Sequence, residues 1–310
     1  MIAMRRILCP VDFSDHSTRA LHHALAIAAW YDSTVTVLHV SPVMPAAAYV
    51  SGSGMPAYAT LTTEERDAIM QSMRRFAGRE TRAGAKMEFE VTEGGTVATI
   101  LARSTALPAD LLVLGTHGRS GFERWVLGSV TEKVLRTALC PVLTVPKGSG
   151  DVVPVVFRRV VCAIDFSECS LHALDYATSL AQEADAQLTV VHVIELPPDL
   201  PREVHETVLA GPRNVREYVA LAEEEGRARL TDAVSDRVRE SVTTDTVLAA
   251  GKPYREILRV AAEHGADLLV VGVHGRGPID RMLFGSTTQH LVRQASCPVL
   301  TLRTDERRDA

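Results

Sequence analysis

The stretch Asp110-Leu-Leu-Val-Leu-Gly115-Thr-His-Gly118-Arg119, with Gly128-Ser129 beginning nine residues after Arg119, decides both the fold and the kind of site. A short apolar run that ends in a glycine-rich loop and leads into a helix-like segment is typical of a buried parallel strand followed by a phosphate-binding loop. The pattern returns as Asp267-Leu-Leu-Val-Val-Gly272-Val-His-Gly275-Arg276 with Gly285-Ser286. Two copies indicate a duplicated site for the phosphates of a nucleotide.

The duplication extends along the whole chain. Ile7-Leu-Cys-Pro-Val-Asp12-Phe-Ser14 returns 153 positions later as Val160-Val-Cys-Ala-Ile-Asp165-Phe-Ser167, and the glycine loops return 157 positions later. A unit of about 150 residues is a domain rather than a solenoid repeat. We therefore predict one domain over residues 1–147 and another over 156–304, joined by a linker of turn-forming and polar residues.

The composition indicates ordinary globular domains and excludes several classes of partner. Of the 310 residues, 46% are hydrophobic and 23% charged, and the net charge is −5 without an evident basic patch, which disfavours nucleic acid. No apolar run approaches the roughly 20 residues of a membrane span. The first residues lead straight into a strand, so we expect no signal peptide. Five cysteines without a Cys-x-x-Cys pair favour buried thiols in the cytoplasm over zinc or thioredoxin chemistry.

Each copy alternates short β-branched strands with helix-like segments, which predicts an α/β fold with a doubly wound parallel sheet covered on both faces. The predicted strands of the first copy are Arg6–Val11, Thr34–Val40, Met87–Val91, Asp110–Leu114 and Val142–Val145. Those of the second copy are Val160–Ile164, Gln187–Val193, Thr243–Leu248, Asp267–Val271 and Val299–Leu302. The second helix of the second copy is predicted to be long, from about Val215 to Glu240.

The candidate site lies at the carboxyl ends of the strands, where open parallel sheets bind ligands. Asp12 ends the first strand and Gly115 the fourth, so their loops would face one crevice. Gly115 and Gly118 would let backbone N–H groups approach phosphate oxygens. Gly128-Ser129 opens a helix, and Ser129-Val-Thr-Glu132 matches a capping box. Ser129 is then either an N-cap alone or an N-cap that also donates to phosphate, and we favour the second interpretation.

Several of these residues also have purely structural interpretations. Asp12 could simply cap the following helix, although its recurrence at the ligand edge favours binding. His117 could fill space in its loop rather than contact a ligand. His39 more plausibly occupies a strand end than ligates a metal. A P-loop is excluded because the chain has no Gly-x4-Gly-Lys-Ser/Thr, and NAD binding is disfavoured because no Gly-x-Gly-x-x-Gly follows the first strand.

Together the doubled Gly-x2-Gly-x9-Gly-Ser, the Asp-Phe-Ser turns, the His-Val strand ends and the Cys-Pro-Val-Leu-Thr strands resemble the universal stress protein family in its tandem form. The resemblance covers nearly the whole chain. It implies two five-stranded sheets of order 3-2-1-4-5, an adenine nucleotide alpha hydrolase-like fold, and ATP in each domain with Mg²⁺ held mainly by the phosphates. It also implies that the fifth strands pair to join the halves as an intramolecular pseudo-dimer, with a homodimer as a further possibility.

The resemblance also assigns site residues by matching position. In the first copy, the residues implied at the adenosine side are Asp12 and Val40, and those around the ribose and phosphates are Gly115, His117, Gly118, Arg119, Gly128, Ser129, Val130 and Thr131. In the second copy, the matching residues are Asp165, Val193, Gly272, His274, Gly275, Arg276, Gly285, Ser286, Thr287 and Thr288. The second copy departs from the first in its loop, where Pro278 lacks an N–H group and makes its affinity less certain.

The catalytic motifs of related nucleotide enzymes are absent from the sequence. No base is identifiable near the outer phosphates, and neither Ser-Gly-Gly-x-Asp-Ser nor His-x-Gly-His occurs. We therefore expect a nucleotide-binding regulator that acts in stress or dormancy, and at most a weak ATPase. The alternative hypothesis is a slow ATPase or phosphotransfer enzyme, and a scaffold with empty sites is disfavoured by the intact glycine loops.

Overall fold

The computed structural model describes residues 2–45, 58–78, 86–116, 127–147, 157–195, 213–273 and 285–303. The chain divides into two compact units with the boundary between Val155 and Val156. Each unit contains a sheet in which all strand pairs are parallel, with helices between consecutive strands. In the described ranges, no helix is both long and apolar enough to cross a membrane.

The first domain is built on five parallel strands, with a short antiparallel pair beside the second. The strands are β1 (Arg6–Pro10), β2 (Thr34–Ser41), β3 (Met44–Pro45), β4 (Tyr58–Ala59), β5 (Lys86–Glu93), β6 (Leu111–Gly115) and β7 (Val142–Val145). The helices are α1 (Asp15–Tyr31), α2 (Thr63–Gly78), α3 (Thr96–Ala106) and α4 (Ser129–Thr137). The sheet runs β5-β2-β1-β6-β7, which is the predicted order 3-2-1-4-5, while β3 pairs only with β4.

The second domain repeats this architecture. Its strands are β8 (Arg159–Ile164), β9 (Gln187–Ile194), β10 (Thr244–Ala250), β11 (Leu268–Gly272) and β12 (Val299–Leu302). Its helices are α5 (Glu168–Ala184), α6 (Arg213–Ala233), α7 (Asp236–Ser241), α8 (Pro253–Glu263) and α9 (Ser286–Gln294). The sheet runs β10-β9-β8-β11-β12. The predicted α/β fold and the predicted strand order are therefore confirmed in both domains.

The prediction of a single long second helix in the second domain is wrong. The helical segment is divided after Val234, whose N–H closes α6 on the Leu230 carbonyl. Ser235 then takes an extended conformation (φ −58°, ψ 163°) and precedes α7 as its N-cap. Serine competes with the helical backbone and favours such a position over a helix interior, which explains the break.

The central strands are buried on both faces, as their continuous apolar composition predicts. All four residues from Leu111 to Leu114 are buried, and so are those from Leu268 to Val271. The edge strands β5 and β10 are less buried, with one buried residue each, Val91 and Ala249. Asp110 also fixes the start of β6, because its carboxylate accepts hydrogen bonds from the N–H groups of Arg5 and Arg6 at 2.8 and 2.9 Å. Asp267 does the same for β11.

A buried histidine on α1 makes the first domain sensitive to acid. Burial lowers the pKa of His23 from 6.5 to about 4, opposed by its hydrogen bond with the Arg19 carbonyl and assisted by the charge of His22. Because the folded pKa is below the unfolded value, the unfolded chain binds the proton more tightly. His23 therefore contributes stability above about pH 6.5, and that contribution is lost as the pH falls toward 4.

We expect the substitution His23→Tyr, which introduces the residue found at the equivalent position 176, to reduce the acid sensitivity of the first domain. For the wild type, His23 adds a loss of up to about 1.4 kcal/mol in unfolding free energy per pH unit below 6.5. Urea unfolding at pH 7 and pH 5 measures this, followed by tryptophan fluorescence, since Trp30 and Trp125 both lie in the first repeat. The same pH dependence in both proteins would contradict the assignment.

Candidate nucleotide-binding site

The turn after the first strand is organised by an aspartate–serine pair in each domain. Ser14 donates from its N–H and hydroxyl to Asp12 Oδ1, at 3.1 and 2.6 Å, and its own Oγ accepts from the N–H of Ser17. Ser14 is therefore the N-cap of α1, and the structural interpretation of Asp12 as the helix cap is wrong. The second domain repeats the arrangement with Asp165 and Ser167, at 3.0 and 2.5 Å.

The phenylalanine inside this turn has a left-handed backbone conformation. Phe13 has φ 65° and Phe166 has φ 63°, values that bulky residues adopt rarely and at a cost of about 1–3 kcal/mol. Each ring packs on a histidine near the end of the second strand, with centroids 4.7 Å apart for His39 and 4.4 Å for His192. These tertiary contacts stabilise the conformation and fix the position of the neighbouring aspartate.

The two strand-end histidines are structural supports of the same turn. His39 Nδ1 lies 2.8 Å from the Val11 carbonyl, and His192 Nδ1 lies 2.8 Å from the Ile164 carbonyl. Because a carbonyl can only accept, Nδ1 carries the proton in both rings. The expectation that these histidines occupy strand ends agrees with this geometry. Across the described ranges, no group of three or more His, Cys, Asp or Glu side chains is arranged to hold a metal ion.

The glycine that ends the fourth strand is required by close packing. A Cβ atom on Gly115 would lie 2.9 Å from both the Cβ and the carbonyl oxygen of His16, in the first turn of α1. A Cβ on Gly272 would lie 3.0 Å from Cys169 Sγ and 3.2 Å from Ser170 N. From the sequence, we predicted that Gly115 lets backbone N–H groups approach phosphate oxygens. The structure shows that this glycine also has a packing role. It lets the first turn of α1, which follows the Asp12 turn, lie directly against the end of β6.

The helix after the glycine loop begins with an amide-rich terminus that no side chain of the described residues caps. Gly128 is the N-cap of α4, with an extended backbone (φ −57°, ψ 137°). Its N–H donates a hydrogen bond to the Thr116 carbonyl at 2.8 Å. Ser129 is the first helical residue and is exposed. The prediction of Ser129 as N-cap of a capping box is therefore wrong. In the second domain, Gly285 is the N-cap (φ −56°, ψ 139°) and Ser286 is exposed in the same way.

A threonine in the first turn of this helix connects it to the end of the strand. The buried Thr131 hydroxyl donates to the Gly115 carbonyl at 2.8 Å, and Thr288 donates to the Gly272 carbonyl at 2.9 Å. This hydrogen bond occupies the hydroxyl hydrogen of Thr131, a residue that the family resemblance assigns to the surroundings of the phosphates. Its main described role is to hold the N-terminus of α4 beside β6.

The contacts bring most of the described candidates to one edge of each sheet. Asp12 and Val40 follow paired positions of β1 and β2, whose register joins Pro10 with Leu38. The His16–Gly115 approach and the Thr131 bond then connect the Asp12 turn to α4. The matching residues of the second domain are Asp165, Val193, Gly272, Gly285, Ser286, Thr287 and Thr288. The predictions for His117, Gly118, Arg119, His274, Gly275 and Arg276 lie outside the described residues.

Two supporting roles were not predicted, those of the left-handed phenylalanine and of the threonine bond. Both left a signal in the sequence, because Phe13 and Phe166 recur 153 positions apart and Thr131 and Thr288 recur 157 positions apart. Recurrence alone does not state the role, since the partners come from other elements of the fold. His39 was correctly placed, but its bond to the preceding loop carbonyl was not foreseen.

The cysteines near the sheet are buried and carry little thiolate. All five cysteines are free thiols. Burial raises the pKa of Cys9 to about 12 and raises that of its counterpart Cys162 still further. Cys169, the second residue of α5, is buried, and its Sγ lies 3.1 Å from the Leu302 carbonyl. Cysteine nucleophiles therefore have no support in the described geometry.

The class of the protein follows from these features: two doubly wound α/β domains, each with a glycine-started helix beside the switch between its first and fourth strands. The universal stress protein family matches twice, over residues 4–146 and 157–303. A universal stress protein of Mycolicibacterium smegmatis is 29% identical over 306 residues, which is 96% of each chain. One from Bacillus subtilis is 32% identical over 148 residues, covering 48% of this chain and 100% of the relative.

A solved structure agrees with the sequence comparisons at the level of the fold. The crystal structure of a universal stress protein from Archaeoglobus fulgidus has a TM-score of 0.63 at 23% identity and covers 97% of both chains. The chain belongs to the universal stress protein family, with two family domains in tandem.

We expect Gly115→Ala to destabilise the first domain, because the new methyl group would overlap the backbone of His16. The expected cost is about 1–3 kcal/mol of unfolding free energy, as for overpacked cores. Gly95→Ala is the matched control, since a Cβ there meets no described atom within 4 Å. Urea unfolding followed by tryptophan fluorescence compares the two. Equal, small losses in both variants would show that the close approach does not constrain the fold.

Proposed function

We propose that this chain is an ATP-binding regulatory protein of the stress response, with one nucleotide site in each domain. The observation that carries the proposal is the N-terminus of α4 and of α9, where a glycine precedes an exposed serine and a threonine bonds to the end of the fourth strand. A helix N-terminus offers N–H donors and a positive dipole end to an anion. Belonging to the universal stress protein family supports the same assignment.

The phosphates would bind at the first turn of the helix. The N–H groups of Ser129 and Val130 supply donors, and the exposed Ser129 hydroxyl adds one more. Glu132 is the acidic residue of this turn and would repel an anion, but Arg136 pairs with it at 3.1 Å one turn further on. Arg119, in the preceding loop, is proposed to pair with the outer phosphates, and Mg²⁺ would be held mainly by phosphate oxygens.

The adenosine would bind on the side of the first two strands. Asp12 Oδ1 accepts two hydrogen bonds from Ser14, and these bonds orient the carboxylate. We propose that Asp12 accepts from the ribose or the base and that Val40 packs against the nucleoside. Asp165 and Val193 have the corresponding roles in the second domain.

A regulatory role fits this set of residues better than an enzyme does. The parts that recur between the domains are donors and rigid supports, whereas hydrolysis of ATP also requires an oriented water and stabilisation of the charge on the transferred phosphate. We propose that nucleotide occupancy selects the conformation or partner of the protein. The five free thiols support action in a reducing compartment, which we take to be the cytoplasm.

Replacing the first helical residue tests the backbone donor separately from the hydroxyl. Ser129→Pro removes the N–H, and the helix should tolerate it, because proline suits the first helical position and the extended Gly128 suits the residue before it. Loss of one charge-assisted hydrogen bond of about 1.5–3 kcal/mol predicts about a tenfold to hundredfold weaker affinity for ATP at the first site. Ser129→Ala keeps the N–H and should lose less.

Isothermal titration calorimetry with ATP provides the measurement, and Ser286→Pro with Ser286→Ala is the matched pair for the second site. Thermal unfolding of each variant checks the fold. Adenine nucleotide released from the denatured wild-type protein would support the proposal independently. A wild type that carries no nucleotide and gives no heat with ATP contradicts it, while binding of cyclic AMP in preference to ATP would reassign the ligand.

A phosphate-release assay compares the regulator with its alternative, a slow ATPase or phosphotransfer enzyme. We expect the wild-type rate to equal that of the Gly118→Ala, Gly275→Ala double variant, in which both glycine loops are altered. Measurement over hours with purified protein and Mg²⁺-ATP is required, since a slow rate can come from a contaminant. Release clearly above that background would favour the enzyme.

A further inference from the structure

A cluster of cationic and aromatic side chains distinguishes the second domain from the first. It lies where α8 begins next to α9, and we call it the Tyr254 cluster: Lys252, Tyr254, Arg255 and His290. The Lys252 Nζ lies 5.2 Å and the Arg255 Cζ 5.9 Å from the centroid of the Tyr254 ring. The His290 ring lies 4.3 Å from the same centroid at an interplanar angle of 37°.

The two cations of this cluster are exposed and uncompensated within the described part of the chain. Neither Lys252 nor Arg255 pairs there with a carboxylate, and Arg255 Nε donates to the Tyr254 hydroxyl at 3.2 Å. The nearest acid of the helix, Glu256, is held instead by Arg259 at 2.9 Å. Two positive charges beside the Tyr254 ring, without a carboxylate partner in the described ranges, favour the binding of an anion from solution.

The first domain lacks this arrangement. Positions 157 residues earlier carry Gly95, Val97 and Ala98 in place of the lysine, tyrosine and arginine of the Tyr254 cluster. Lys133 replaces His290 and has no such aromatic partner at position 97. The first site therefore has one cation at these positions, Lys133, whereas the second has two, Lys252 and Arg255.

The cluster lies next to the helix terminus at which the phosphates are proposed to bind. His290 follows Ser286 by four residues on α9, so the two lie on the same face about 6 Å apart along the helix axis. The stack with Tyr254 places the cations of α8 close to that face. The Debye length is about 8 Å at physiological salt, so the cations act on an anion that extends from Ser286 toward His290.

We propose that the Tyr254 cluster is an accessory cationic subsite that takes the distal phosphates of a nucleotide polyphosphate in the second domain. The proposal rests on the proposed nucleotide site of that domain. It predicts that affinity at the second site rises more steeply from AMP to ADP to ATP than affinity at the first. The two sites therefore differ in their selection for the number of phosphates.

Charge removal tests the subsite. We expect Lys252→Gln and Arg255→Gln each to weaken ATP binding at the second site by roughly twofold to fivefold, and AMP binding by less. Arg227→Gln is the matched control, because it removes one positive charge from an exposed arginine that Glu223 already pairs. Calorimetry with ATP and AMP on the full chain measures the effect, and thermal unfolding checks each variant. Equal losses for ATP and AMP would overturn the proposal.

A graft into the first domain tests the same idea by gain of function. Gly95→Lys, Val97→Tyr and Ala98→Arg together build the cluster beside α4, and a side chain at Gly95 meets no described atom within 4 Å of its Cβ. We expect the grafted chain to bind ATP more tightly at the first site than the wild type, with AMP affinity unchanged. No gain for a folded graft would count against the subsite.

A local probe separates failure of this inference from failure of the nucleotide site itself. The imidazole signals of His290, assigned in nuclear magnetic resonance spectra through His290→Gln, should shift on addition of ATP or of inorganic triphosphate. Calorimetric binding of ATP without any shift of His290 overturns the subsite alone. Absence of binding of any adenine nucleotide contradicts the proposed function. In that case a His290 shift with triphosphate still supports the subsite, and its absence overturns it.

Discussion

The close approach of the first helix to the glycine that ends the fourth strand is the constraint on which each domain depends. With no side chain at Gly115, the first turn of α1 lies against the end of β6, near His16. The loop that carries Asp12 is thereby fixed beside β6. The Thr131 bond then holds the N-terminus of α4 to the same strand end. The missing Cβ atom at Gly115 thus permits the close packing found where the strand order reverses.

The strained turn beside this approach is stabilised by its neighbours. A phenylalanine with a left-handed backbone costs about 1–3 kcal/mol, and the stack on His39 together with the histidine's bond to the Val11 carbonyl offsets that cost. Because the same arrangement recurs with Phe166 and His192, it belongs to the scaffold rather than to one domain. The aspartate is thereby held in place, and for the proposed nucleotide site this would reduce the ordering cost of binding.

The sequence predicted most strands to within two residues, because short β-branched runs between turn signals leave little choice of element. The strand order came from the family resemblance and not from the residues themselves. The capping-box prediction was wrong because the pattern from Ser129 to Glu132 does not show which residue is the last non-helical one. In the structure it is Gly128 and not Ser129. The prediction for Gly115 was incomplete for a different reason. Its packing partner, His16, is distant in sequence and comes close only after folding.

The hydrogen bonds that hold the loops recur in both domains, whereas the side chains packed around these loops differ. Aspartate–serine, histidine–carbonyl and threonine–carbonyl bonds recur and hold the loops. The differences lie around these loops: Phe76 packs on Phe13 in the first domain, whereas the equivalent Arg229 lies 4.2 Å from the centre of the Phe166 ring in the second. Exposed charges can change without disturbing a core, whereas the buried contacts cannot. Duplication therefore preserved the geometry of the site and left its charge free to diverge.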